Sequence, residues 1–126
     1  MKGTNYSMPS TALVTDDSPT IRNMIAFTLK AIGVSTVEAS DGQDALNKLE
    51  NGNIDILIVD LNMPKINGLE LISMLRKNPK YKKLPMIMVT TEADKKRGLA
   101  AGANEYIVKP FKPQDLQSIV QNYINK

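Results

Sequence analysis

Short runs of apolar residues, each closing on a polar or charged side chain, recur down this chain, with stretches of helical periodicity between them. Ala12-Leu13-Val14 leads into Thr15-Asp16-Asp17, Ile54 to Val59 ends at Asp60, Met86 to Thr90 is entered through Pro85, and Tyr106-Ile107-Val108 runs into Lys109. Unbroken apolar runs, as opposed to strict alternation, mark strands covered on both faces. Val34 to Ala39 adds a further β-rich segment. After the first strand, Ser18-Pro19 supplies a helix cap with proline at the first helical position. Ile21, Met24, Ile25, Thr28, Leu29 and Ile32 then follow at helical spacing up to a stop at Gly33. A second helix is expected over Asp41 to Asn51, with Ala45, Leu46 and Leu49 on one face and Gly52 beyond it. A third carries Leu69, Ile72 and Leu75 after the loop signals Asn62-Met63-Pro64 and Asn67-Gly68. A short fourth helix over Ala93 to Ala101 is weakened by Gly98. A fifth starts at Pro113 and carries Leu116, Ile119, Val120 and Tyr123 or Ile124.

Five strands alternating with five helices predict an α/β fold, a doubly wound parallel sheet with helices on both faces. Right-handed crossovers favour the flavodoxin-like order 2-1-3-4-5. The 126 residues make one domain over 11–126, behind a flexible lead-in over 1–10 that has one charge and no apolar core of a secretory signal. No apolar run approaches the ~18 residues of a membrane span, so a cytoplasmic address and no membrane partner are expected. The absence of cysteine rules out disulfides and thiolate metal sites. A net charge of +3 raises the question of nucleic acid, but the excess is local. Arg76, Lys77, Lys80, Lys82, Lys83, Lys95, Lys96 and Arg97 face only Glu92 and Asp94 in their stretch, and the remaining chain is acidic by three. Only Tyr81 interleaves with these cations, so the stacking signature of single-strand binding is missing. The patch reads as a solvated face or as a docking site for an acidic partner.

Ligands of such sheets bind beyond the carboxyl ends of the strands. That edge collects Asp16 and Asp17 from the first strand, Asp60 from the third, Thr90 from the fourth and Lys109 from the fifth. Strands one and three are neighbours in the expected order, so three carboxylates converge, and like charges ~4 Å apart repel by roughly 4 kcal/mol at an effective dielectric of ~20. Mg²⁺, a hard cation that takes carboxylate, water and phosphate oxygens, relieves that repulsion, and Lys109 relieves it further. In this arrangement Asp60 is the nucleophile that forms an acyl phosphate, with Mg²⁺ held mainly by Asp17 and Asp60. Lys109 contacts the phosphoryl oxygens, and Thr90 donates a hydrogen bond to an oxygen that arrives with them, drawing its loop inward.

These residues resemble the receiver domains of two-component response regulators, and among them the stand-alone chemotaxis type. The likeness runs from Ala12 to Asn125. It is carried by Asp16-Asp17, Asp60, Met63-Pro64 with Gly68, Thr90, and Lys109-Pro110-Phe111, together with the stretches Asp44 to Leu49 and Gly68 to Leu71. The resemblance implies metal binding by Asp17, Asp60 and the backbone carbonyl of Asn62, with Asp16 acting through water. It implies an aromatic switch at Tyr106, and Asn62 and Glu92 as residues that tune phosphoryl lifetime, here toward a short one. It further implies a cis Lys109-Pro110 peptide, a histidine kinase as phosphodonor, and an output face on the fourth helix, fifth strand and fifth helix that binds a protein target such as the flagellar motor switch. The chain is then no enzyme beyond catalysing its own phosphorylation and dephosphorylation.

Two departures stand out. Thr91 occupies a position where receivers usually have alanine or glycine, and its bulk narrows access for small phosphodonors. Tyr106 follows Thr90 by only sixteen positions, so the fourth helix is expected to be truncated. A phosphorelay intermediate remains an alternative role, although a chain without histidine holds no phosphohistidine itself. A small aspartyl-nucleophile phosphohydrolase is a weaker alternative, because Asn62 stands where such an enzyme needs its second carboxylate. A DNA-binding regulator needs a further module beyond Lys126.

Overall fold

The computed structural model describes residues 10–124; the expected lead-in, apart from Ser10, lies outside the described residues. Five parallel strands, β1 (Thr11–Thr15), β2 (Ser35–Ala39), β3 (Ile56–Val59), β4 (Met86–Thr90) and β5 (Glu105–Val108), form one sheet in the order β2-β1-β3-β4-β5. Between and after them run α1 (Pro19–Lys30), α2 (Gly42–Asn51), α3 (Gly68–Arg76), α4 (Lys95–Ala101) and α5 (Pro113–Ile124). The doubly wound α/β fold follows the periodicity, and the strand order is the one that right-handed crossovers favour.

Neighbouring residues on the central strands serve opposite cores, as the two-residue strand period requires. Leu13, Leu57, Val59, Met86 and Met88 pack with Ala45 and Leu49 of α2 and with Leu71, Ile72 and Leu75 of α3. Ala12, Val14, Ile56, Ile58, Ile87 and Val89 pack with Ile25 and Leu29 of α1 and Leu116 and Val120 of α5. β1, β3 and β4 are therefore buried on both sides, while edge strands β2 and β5 are partly exposed.

Capping side chains fix where the helices begin. Ser18 accepts from the Ile21 amide ahead of Pro19, and Asp41 accepts from the Asp44 amide. Asn67 and Glu70 form a reciprocal capping box. Several expected boundaries move by a residue or two. β3 starts at Ile56, not Ile54, because the chain at Asp55 is still turning: its amide donates to the Thr11 carbonyl. β2 starts at Ser35, since Val34 is buried as part of the α1 exit. α4 starts at Lys95, not Ala93, because the Asp94 side chain caps it through the Arg97 amide, and its seven residues make it short as predicted. Met24, expected on the buried stripe of α1, is 43% exposed. A 3-10 turn over Pro79–Tyr81, capped by Asn78, was not expected from the sequence.

Candidate functional site

The carboxyl edge gathers its residues because each follows a strand whose register is pinned. Thr15 pairs with Val59 and Thr90 with Val108, so the residues just past them share one rim. The Asp60 amide donates to the Thr15 carbonyl and the Lys109 amide to the Thr90 carbonyl, which extends the ladder one step into the site. Gly68 lets the loop after β3 fold back on Asp60: a Cβ there would lie 2.3 Å from the Asp60 carbonyl oxygen.

Asp16, Asp17 and Asp60 bring carboxylate oxygens within 4.8 Å of one another. Lys109 Nζ reaches Asp16 Oδ2 at 2.9 Å and Asp60 Oδ2 at 3.6 Å. Asp16 is almost fully buried, and its other oxygen accepts from the Ser18 amide at 2.9 Å. Both its oxygens are thus engaged, whereas Asp17 is exposed to solvent with a carboxylate oxygen in the cluster. Three carboxylates against one ammonium leave a formal excess of two negative charges. Burial pushes the Asp60 carboxyl above the usual carboxylate range; hydrogen bonding from Thr90 and the charge of Lys109 oppose that rise, and the Asp16 charge adds to it.

Thr90 is fully buried, and its Oγ1 accepts from the Glu92 amide at 3.3 Å. Asn62 Nδ2 donates to Glu92 Oε2 at 3.2 Å, joining the loops after β3 and β4 above Asp60. Tyr106 is half-buried; its hydroxyl donates to the Glu92 carbonyl and accepts from the Asp94 amide at 3.2 Å. The structure therefore brings Asp16, Asp17, Asp60, Thr90 and Lys109 into one cluster, with Asn62 and Glu92 at its mouth and Tyr106 tied to the back of Glu92. The Lys109-Pro110 peptide is cis, as anticipated.

Two contributors escaped the sequence reading. Arg22 donates from Nη1 to the Asp16 carbonyl at 2.7 Å and pairs through Nε with Glu38 at 3.0 Å, anchoring the acidic turn to β2. Gly98 seats the Tyr106 ring: a Cβ there would stand 2.4 Å from Tyr106 Cδ2. A glycine inside a helix usually has a packing reason, and that was the available signal.

The donor set is all oxygen, three carboxylates with unbalanced charge, which suits a hard divalent cation such as Mg²⁺. Comparison with known proteins agrees with this chemistry. The family profile for the response regulator receiver domain matches residues 12–121. The chain is 46% identical over 110 residues to the chemotaxis protein CheY1 of Helicobacter pylori, covering 83% of this chain and 89% of that one. It superimposes on the Vibrio cholerae chemotaxis protein CheY4 with a TM-score of 0.86 at 37% identity, covering 93% of this chain and all of that one (100%). It also superimposes on the receiver domain of a sensor histidine kinase from Pseudomonas aeruginosa, solved with a magnesium ion coordinated in the active site cleft. There the TM-score is 0.85 at 27% identity, covering 94% and 100% of the two chains.

Proposed function

Because this chain belongs to the response regulator receiver domain family, we propose that its part in two-component signalling is to take a phosphoryl group on Asp60 and relay the event through Thr90 and Tyr106. The observation that carries this reading is the packing of three carboxylates within 4.8 Å, with one lysine spanning two of them. A buried carboxylate whose charge is poorly solvated is a poised nucleophile.

The donor is a phosphohistidine on a histidine kinase. An Asp60 oxygen attacks phosphorus, a P–O bond forms, the P–N bond breaks, and the imidazole leaves with the electron pair. Lys109 lies close enough to Asp60 to meet the incoming phosphoryl oxygens as a point charge. Thr90, whose hydroxyl opposes the rise of the Asp60 carboxyl, would donate instead to a phosphoryl oxygen. Asp17, Asp60 and the carbonyl of Asn62 would hold Mg²⁺, with Asp16 reaching it through water because both its oxygens are occupied. The ion supplies the positive charge that offsets the excess carboxylates.

The relay runs through the loop after β4. Thr90 Oγ1 holds the Glu92 amide and Tyr106 holds the Glu92 carbonyl, so a displacement at Thr90 acts on both ends of the same residue. The responding surface is the face of α4, β5 and α5, where Leu99 and Val108 are already exposed. It binds a protein target, in a chemotaxis role the flagellar motor switch. No nucleic acid is involved, and the chain catalyses only its own phosphorylation and dephosphorylation. Among the described residues no helix is long and apolar enough to cross a membrane, and a cytoplasmic setting fits. Asn62 and Glu92, hydrogen-bonded to each other at the mouth, set how fast water reaches the acyl phosphate, and a short lifetime is expected.

Phosphotransfer from candidate histidine kinases to the wild type and to Asp60→Asn tests the assignment, followed by a pull-down with the phosphoprotein. Label on the wild type alone is the expected result. Label on the Asn variant refutes Asp60 as acceptor, and a half-life of hours refutes the predicted lability.

A further inference from the structure

The amino edge of the sheet, opposite Asp60, carries a built feature of its own. Arg76, at the end of α3, donates to the carbonyls of Tyr81 at 3.0 Å, Lys82 at 3.1 Å and Gly102 at 3.0 Å, and to Asn104 Oδ1 at 2.8 Å. Its guanidinium therefore fixes the backbone of the loop between α3 and β4. That loop displays Lys77, Lys80, Lys82 and Lys83, all exposed and, among the described residues, none in an ion pair. No acidic residue occurs between Glu70 and Glu92.

Beneath the lysines, a cleft of about 350 Å³ lies between this loop and the turn that leads into β3. Exposed Lys80, Lys83 and Asn53 line its rim, and the less exposed Leu49, Ile54 and Leu84 its floor. Tyr81 contributes to the wall, and its hydroxyl is buried without a hydrogen-bond partner among the described residues. Asp55, the acid at this cleft, is engaged by the Thr11 amide at 2.8 Å.

We propose that this cleft docks an acidic protein segment that inserts one aliphatic side chain and lays its carboxylates against Lys80 and Lys83. Complementary charge speeds encounter and fixes register, and a loop already held rigid loses little entropy on binding. A concave site with lysines at its mouth and leucine and isoleucine side chains in its wall selects a protruding chain over a flat membrane. None of the large exposed hydrophobic side chains, Met24, Phe27, Val37, Met74, Leu99 and Val108, sits on the loop to anchor in lipid. Nor is there a free ring for stacking bases, since Tyr81 is buried with Lys80 Nζ 5.5 Å from its centroid. The cleft lies below the start of β3 and Asp60 lies past its end, about 13 Å along the strand at ~3.3 Å per residue. An occupant therefore leaves the carboxyl edge free, and a receiver can be held by one partner while it exchanges phosphate with another.

The test is fluorescence anisotropy with a fluorescein-labelled probe peptide, a leucine flanked on each side by four glutamates. Lys80→Gln combined with Lys83→Gln is expected to weaken binding about tenfold. Lys95→Gln combined with Lys96→Gln, of equal charge change, leaves it within about twofold, because screening blunts distant charges. Replacing the probe's leucine with glycine weakens binding severalfold, and Asp60→Asn has no effect, which separates this proposal from the phosphoacceptor reading. Equal losses in the two lysine pairs, or equal binding of the glycine probe, overturn it. So does displacement of the probe by phosphatidylserine vesicles or by a single-stranded oligonucleotide at matched charge.

Discussion

Neutralising Asp60 should make the metal-free protein more stable. Asp60 sits within 4.8 Å of carboxylate oxygens on both Asp16 and Asp17. At an effective dielectric of ~20, each such pair repels by about 3.5 kcal/mol, so the two together disfavour the ionised form by about 7 kcal/mol. Lys109, 3.6 Å away, returns about 4.6 kcal/mol by the same arithmetic. Solvent at exposed Asp17 weakens its share, and the burial of Asp60 works against the charge. Asp60→Asn, nearly isosteric, is therefore expected to gain about 1–2 kcal/mol at neutral pH, a rise of about 4–8 °C in Tm for a domain of this size. The pH dependence follows from the raised Asp60 carboxyl. A group whose folded pKa lies above its unfolded value contributes stability fully below the unfolded pKa and loses it as pH rises through the folded one. The gap between variant and wild type should thus be small near pH 3.5 and widen toward pH 7. Millimolar Mg²⁺ should close it by stabilising the wild type more than the variant. Thermal melts of both proteins over that pH range, with EDTA and with Mg²⁺, make the measurement. A variant no more stable than the wild type at pH 7 in EDTA, or a gap unmoved by Mg²⁺, would refute the electrostatic account of the site.

Gly98→Ala should push the Tyr106 ring out of its seat, since the added methyl would stand 2.4 Å from Cδ2 and 2.7 Å from Cε2. The two lost hydrogen bonds cost ~1 kcal/mol each and the helix gains ~1 kcal/mol, so stability falls by ~1 kcal/mol while nitration of Tyr106, read peptide by peptide, accelerates. Arg76→Ala should cost about 2–4 kcal/mol in urea melts, because it removes four hydrogen bonds that tie the Tyr81-Lys82 loop to the turn holding Gly102 and Asn104; Arg76→Lys should not restore it, lacking the planar fork. Thr91→Ala should speed phosphorylation by acetyl phosphate severalfold without altering transfer from a kinase; an unchanged rate would show that this exposed hydroxyl does not restrict access.

Much of this molecule is readable from residue order because its strands are covered on both faces. Ala12 to Val14, Ile56 to Val59 and Met86 to Val89 leave no alternative to a doubly packed sheet, and once the order is fixed Asp16, Asp17, Asp60, Thr90 and Lys109 must meet. What escaped notice depends on the third dimension. Arg76 counts as one more surface cation in the sequence, yet it is half-buried and holds four acceptors, two nearby in the chain and two more than twenty residues away. Gly98 reads as a weakness in a helix until the ring against it is seen. Arg22 lies on α1 among polar neighbours, with nothing local to show that it grips the Asp16 carbonyl. Strand and helix starts shifted wherever a cap or a turn, rather than hydrophobic period, set the boundary, as at Asp55 and Asp94.

The arginine at the end of α3 also limits how the signalling face is able to move. By holding its own neighbours Tyr81 and Lys82 together with Gly102 and Asn104, it fastens both ends of the span that contains β4 and α4 to a single point. The carboxyl end of α4 is therefore a fixed point, about which any movement of its amino end would turn. A helix of seven residues, about 10 Å long at 1.5 Å per residue, is a short lever. On the proposed relay, a partner would sense a small arc near Asp94, close to the tyrosine ring, and not a translation of the whole helix.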